Sequence, residues 1–175
     1  MFSDRAATKA SRRASQFRWT MLNIGKVDVT GLDAKLQVGR DLGFADRRAD
    51  LTLRYTFQQA LDHSSPGSFT WGNQVPYIPL HSGGVNLAIM WERLSFSWDT
   101  TVTGERWSRS ANTDDYRIAP WSISDASLMN KFLVGGLSEL SVGITLNNIF
   151  NQSYQVVQGY PMPGFNAMIL VEYSW

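Results

Sequence analysis

Apolar and polar residues alternate one by one along most of this chain, and seven stretches keep the alternation long enough to predict β-strands. Over 26–38, Leu32, Ala34, Leu36 and Val38 share a face opposite Asp33, Lys35 and Gln37. Val27 and Val29 fall off that face, and the phase slip predicts a bulge at Gly31. Over 49–59, Leu51, Leu53, Tyr55 and Phe57 oppose Asp50, Thr52, Arg54, Thr56 and Gln58. Val85, Leu87, Ile89 and Trp91 mark a third strand over 82–91, and Leu94, Phe96, Trp98 and Val102 a fourth over 94–104. The fifth, 121–134, sets Ala126, Leu128, Phe132 and Val134 against Asp125, Ser127 and Lys131, with Asn130 as its misfit. Leu140, Val142, Ile144 and Leu146 mark the sixth. In the last, Phe165, Ala167, Ile169, Val171, Tyr173 and Trp175 line one face right up to the final residue.

Charge placement turns this pattern into a prediction about solvent. Asp33, Lys35, Asp50, Arg54, Asp99, Asp125, Lys131, Glu139 and Glu172 all fall on the polar face. A cationic charge on a lipid-facing strand position costs roughly 2–4 kcal/mol near the bilayer midplane. A charge-free apolar face on strands close to the ~9–11 residues needed to cross hydrocarbon therefore predicts a transmembrane β-sheet. The polar face, rich in Ser, Thr, Asn and Gly, differs from the Lys- and Glu-rich outside of a soluble sandwich.

The connections alternate in length. Short links fall around Asp41-Leu42-Gly43, at Glu92-Arg93 and at Gly135-Gly136, while long loops occupy 60–81, 105–120 and 150–164. Short turns on one side and long loops on the other are the layout of an up-and-down outer-membrane barrel. Phe57, Trp91, Trp121, Phe132, Tyr173 and Trp175 near strand ends are expected in its two interfacial girdles. Counting back from the last strand puts the N-terminus outside the cell. Seven strands also leave two open edges that lipid does not tolerate. The expectation is an all-β, antiparallel transmembrane β-barrel present as an incomplete arc, whose remainder precedes Met1.

Composition adds exclusions. Net charge is +1, which gives no argument for nucleic acid as a partner, and there are no cysteines. Residues 1–16 read as a basic, disordered lead-in; with Arg18 they hold five basic residues against Asp4. Their Arg- and Ser-rich character resembles a mitochondrial transit peptide and lacks a secretory apolar core. Asp62-His63-Ser64-Ser65 offers acid, imidazole and hydroxyl, but adjacent loop residues do not converge as a catalytic triad does. His81 is expected as a loop-end residue beside the polar face. Two isolated histidines give no ligand set, so no metal, cofactor or enzymatic activity is expected. Trp71, Tyr77, Trp107, Tyr116 and Tyr160 lie in the long loops as candidates for stacking on a ligand.

Three segments then carry a family resemblance. Phe17-Arg18-Trp19-Thr20-Met21-Leu22-Asn23-Ile24-Gly25-Lys26-Val27 with Thr30-Gly31-Leu32-Asp33, and Gln74-Val75-Pro76-Tyr77-Ile78-Pro79-Leu80-His81, are the first two. The strongest is Leu146-Asn147-Asn148-Ile149-Phe150-Asn151-Gln152-Ser153-Tyr154 followed by Gly159-Tyr160-Pro161-Met162-Pro163-Gly164. In order and at these spacings they resemble the late strands of TonB-dependent outer-membrane receptors, over about residues 17–175. The resemblance implies the C-terminal part of a receptor barrel in the bacterial outer membrane, importing scarce ligands such as ferric siderophores, cobalamin or glycans. It implies as partners the bilayer lipid, the rest of the barrel with its plug, and TonB acting through an N-terminal part. Val171, Tyr173 and Trp175 resemble the family's signal to the barrel-assembly machinery. Leu170 stands where a glycine is common, and Trp175 replaces the usual Phe.

Two other architectures fit parts of the pattern. A small stand-alone barrel of porin or adhesin type needs an eighth strand, for which 17–22 is the candidate. A soluble β-sandwich binding module needs the apolar faces to meet in a dry core.

Overall fold

The computed structural model describes residues 25–43, 47–136 and 138–175. The lead-in 1–16 and the candidate strand 17–22 lie outside them. Seven long strands make one antiparallel sheet: β1 (Val27–Asp41), β2 (Arg47–Asp62), β3 (His81–Trp91), β4 (Leu94–Thr103), β7 (Trp121–Val134), β8 (Ser138–Asn147) and β11 (Asn166–Ser174), each hydrogen-bonded to the next in that order. Two short ladders sit in the long loops, β5 (Arg106–Trp107) with β6 (Arg117–Ile118) and β9 (Gln155–Val157) with β10 (Tyr160–Pro161). The sheet is open: among the described residues β1 and β11 pair on one side only.

All six long ladders keep one register from end to end. The bulge expected at Gly31 is absent: β1 and β2 pair without interruption from Val27 opposite Asp62 to Asp41 opposite Arg48. The missing side chain serves a close approach instead, since a Cβ on Gly31 would lie 2.9 Å from the Phe57 carbonyl oxygen. Val27 and Val29 thus share the face of Asp33, and Asp28 and Thr30 that of Leu32. Fifteen residues at ~3.3 Å each outreach the ~25 Å apolar band, so alternation relaxes beyond it.

Unbroken register carries the apolar face across the whole sheet. Leu36, Leu53, Val85 and Thr100 are successive partners, as are Phe96, Leu128, Ile144 and Ile169. This face has no second layer. Leu32 (61%), Ile169 (72%) and Val171 (63%) are exposed, and only Ala60, Ile118 and Ile123 are buried hydrophobics among the described residues. A soluble sandwich with a dry core is therefore not this fold. So broad an apolar surface needs lipid or protein to cover it. Three polar side chains on it satisfy one another: the Trp98 indole N–H donates to Thr100 Oγ1 at 2.8 Å, and Thr100 and Ser124 hydroxyls meet at 2.9 Å.

The opposite face is tied by polar cross-strand pairs. Thr56 donates to Asp33 at 2.7 Å, Arg54 and Asn86 reach Asp99 at 3.8 and 3.4 Å, Ser97 meets Ser127 at 2.7 Å, and Lys131 meets Glu139 at 2.9 Å. The short turns lie at one end of the sheet. Gly135 and Gly136 take φ of 63° and 85°, where side chains are strained. Glu92 accepts φ 54° in the β3–β4 turn, with its carboxylate 3.5 Å from Arg47, whose guanidinium lies 4.2 Å from the Trp91 ring centre.

Candidate functional site

The three long loops, 63–80, 104–120 and 148–165, gather at the other end and are bonded into one crown. Loop 63–80 is first bolted to its own strand: Gln74, buried, accepts from the Ala60 N–H at 3.1 Å and donates to the Ile78 carbonyl at 3.3 Å. Asn112 of the second loop then grips the same residue at both backbone groups, accepting from Gln74 N–H at 2.7 Å and donating to its carbonyl at 3.0 Å. Tyr77 N–H donates to the Trp107 carbonyl at 2.7 Å, and Asn73 Nδ2 to the Ser110 carbonyl at 2.8 Å.

A buried arginine makes the next link. Arg106, 4% exposed on β5, donates through Nη2 to the carbonyls of Gln155 and Val156, each at 3.0 Å. Its Nη1 has no hydrogen-bond partner among the described residues, and burial pulls its pKa below the usual arginine value, opposed by the nearby Tyr77. Ser108 donates to Gln158, and Gln158 Nε2 to the Asp115 carbonyl at 3.0 Å. Arg106→Met keeps the buried stem and deletes two bonds. Amide exchange over 155–159 is expected to rise about ten-fold, the value of one charge-assisted bond, with the global unfolding midpoint nearly unmoved. Unchanged exchange there would show that Arg106 does not hold the third loop.

The third loop is anchored by Asn148, 3% exposed at φ 49°. Its backbone N–H donates to Asp125 Oδ1 at 2.7 Å, its Nδ2 to the Gln152 and Pro163 carbonyls at 2.9 and 3.2 Å, and its Oδ1 accepts from Gln152 N–H at 2.8 Å. Asn151, also at φ 49°, accepts from Phe165 N–H at 2.9 Å where β11 begins. Between the second and third loops lies a cavity of about 300 Å³ lined by Arg117, Pro120, Trp121, Tyr154, Gln155 and Gln158. Trp121 and Tyr154 rings are 4.9 Å apart, and the buried Trp121 Nε1 has no hydrogen-bond partner among the described residues. Arg117 is ion-paired to Glu105 at 3.5 Å and Asp114 at 3.9 Å. The cavity offers a small acceptor-bearing group an indole donor and two amides.

The loop aromatics are spread over this crown and form no common stack. Trp71 packs on the His63 ring at 4.7 Å, Tyr116 lies under the Arg109 guanidinium at 4.1 Å, and Tyr77 reaches φ 64°. Trp107 is half-buried in β5, whereas Tyr160 is 71% exposed on β10. Val171, Tyr173 and Trp175 share the apolar face at the end of the chain, with the two rings 6.1 Å apart. Arg106, Asn112, Asn148 and the Trp121–Tyr154 pair were not singled out by the sequence. Only Asn148 and Tyr154 carried a signal for this site, as residues inside one family-like motif.

Two expectations are corrected here. His81 sits on the apolar face, where it bonds the Tyr55 hydroxyl at 2.8 Å and packs on Phe57 at 5.5 Å, because its register partner is Phe57. Trp121 pairs with Thr103 on the polar face and turns into the loops, so it belongs to no outer girdle. His63 meets Asp28 at 2.5 Å while the Ser64 hydroxyl bonds Lys26, so acid, imidazole and hydroxyl do not converge. Among the described residues no group of three or more potential metal ligands gathers.

Comparison with known proteins accounts for this architecture. No curated protein matches by sequence. The fold is shared with the ferric citrate transporter FecA in its unliganded form, at TM-score 0.62 and 18% identity, over 71% of this chain and 20% of that one. It is shared with BauA, the ferric preacinetobactin receptor of Acinetobacter baumannii, at TM-score 0.61 and 10% identity, over 84% of this chain and 27% of that one. The chain thus spans about a fifth to a quarter of those two structures, and at these identities the likeness is one of fold. The family profile described as "TonB dependent receptor-like, beta-barrel" matches residues 2–149, and the chain belongs to that family.

Proposed function

We propose that the chain supplies a wall sector and external loops to a TonB-dependent receptor that imports a scarce ligand across the bacterial outer membrane. In this reading the apolar face meets lipid, the polar face lines the lumen, and residues 1–16 are a lead-in to a wall section over 17–175. The observation that carries it is the crown: three long loops on one side only, cross-bonded through Gln74, Asn112 and Arg106 above a polar wall. In this reading Trp71, Tyr77, Trp107, Tyr116 and Tyr160, all in the long loops, supply ligand contacts. Both solved relatives are named for ferric chelates, which favours a ferric siderophore over cobalamin or a glycan. Plug, TonB and the assembly machinery, the last through Val171, Tyr173 and Trp175, complete the partners.

Cells making the protein and a deletion strain can be compared for uptake of radiolabelled iron from ferric citrate and from catecholate and hydroxamate chelates, and of cobalamin and oligosaccharides. Uptake of one ferric chelate is expected to vanish on deletion and on collapse of the proton gradient. Uptake that persists in the deletion strain for every ligand, or that ignores the gradient, rejects the proposal.

A further inference from the structure

Two shallow cavities adjoin at the short-turn rim, and they share Asn130. One, about 500 Å³, is lined by Trp91, Glu92, Arg93, Leu94 and Asn130. The other, about 420 Å³, runs from Asn130 along the apolar face between Leu128, Phe132, Val142, Ile144 and Ile169. It rises up the wall, because the Leu128–Ile144 pair stands two residues beyond the Asn130–Val142 pair. Asn130 is the polar misfit of its strand. It is half-buried opposite Leu94, and its side-chain amide meets no hydrogen-bond partner among the described residues. An amide left so in an apolar setting is costly unless a ligand or headgroup oxygen reaches it.

We propose that this groove holds one glycerophospholipid of the leaflet on the short-turn side. Asn130 Nδ2 donates to a glycerol ester carbonyl, and an acyl chain lies along Leu128, Val142 and Ile144. The head end carries both signs of charge, Arg93 with Arg47 for the phosphate and Glu92, 3.5 Å from Arg47, for a primary ammonium, with the Trp91 ring, one face under the Arg47 guanidinium, at the glycerol level where interfacial tryptophans sit. That complementarity selects an ethanolamine head over a glycerol head. The apolar run and the paired charges thus match the two ends of one lipid.

The inference rests on the reading of the apolar face as lipid-facing, and the test separates the two. The full chain is extracted from outer membranes in mild detergent, and bound lipid is counted by native mass spectrometry against added phosphatidylethanolamine or phosphatidylglycerol. One phosphatidylethanolamine per chain is expected. Asn130→Leu, which suits the apolar face and leaves the fold intact, and Arg93→Gln are each expected to lower its retention about ten-fold. Equal retention by Asn130→Leu, preference for phosphatidylglycerol, or a second copy of the chain in place of lipid overturns the inference. A chain missing from the membrane fraction overturns the lipid-facing reading itself.

Discussion

Leu87→Arg is expected to remove the protein from the outer-membrane fraction. Leu87 lies mid-strand in β3, flanked in register by Leu51 and Trp98 on the apolar face. A guanidinium there has no carboxylate beside it on that face among the described residues, since its register partners are Leu51 and Trp98, and moving it to the bilayer midplane costs about 2–4 kcal/mol. That is a large share of the ~5–15 kcal/mol by which a folded domain is ordinarily stable. Thr52→Arg is the matched control, because Thr52 pairs with Gln37 and Asn86 on the polar face. It should insert at close to wild-type level. Membrane fractionation and resistance of the folded band to heat in detergent read both variants. Equal insertion of the two would mean that the apolar face does not meet hydrocarbon.

Asn148→Ala is expected to release the third loop and cost about 3–5 kcal/mol. Three side-chain bonds disappear from a nearly fully buried position, leaving the Gln152 N–H and two carbonyls to find new partners at ~1 kcal/mol or more each. Alanine also tolerates the left-handed backbone less well than asparagine, which adds about 1 kcal/mol. Asn148→Asp keeps the acceptor for Gln152 but loses both donors and faces Asp125 across one bond, so it should fall between the two. Limited proteolysis over 148–165 and the urea midpoint measure the series. An alanine variant as protected as the wild type would show that the loop is held by something other than this amide.

The wall was legible in the sequence and the crown was not, for one physical reason. Where a strand separates two solvents, every second position answers to the same demand. The fifth strand was accordingly read with its observed ends, Trp121 and Val134. At the rims the demand lapses, and there the readings failed: the supposed bulge at Gly31, His81 assigned to the wrong face, and Trp121 assigned to a girdle. The loops are assembled by single amides and one guanidinium reaching across 38 to 50 residues, as from Gln74 to Asn112 and from Arg106 to Val156. Nothing in local periodicity marks such partners. Asn148 was visible only as part of a family-like motif, and its buried bonds give the motif its meaning.

The cross-bonding of the three loops also bears on how such a surface can be altered. Gln74 is held by Asn112, and the segment that carries Asn112 holds the third loop through Arg106. Exchanging any one loop for a foreign one would strand donors and acceptors in its neighbours. A transplant of this loop surface between relatives therefore has to move all three together, as a single cassette with its own seams.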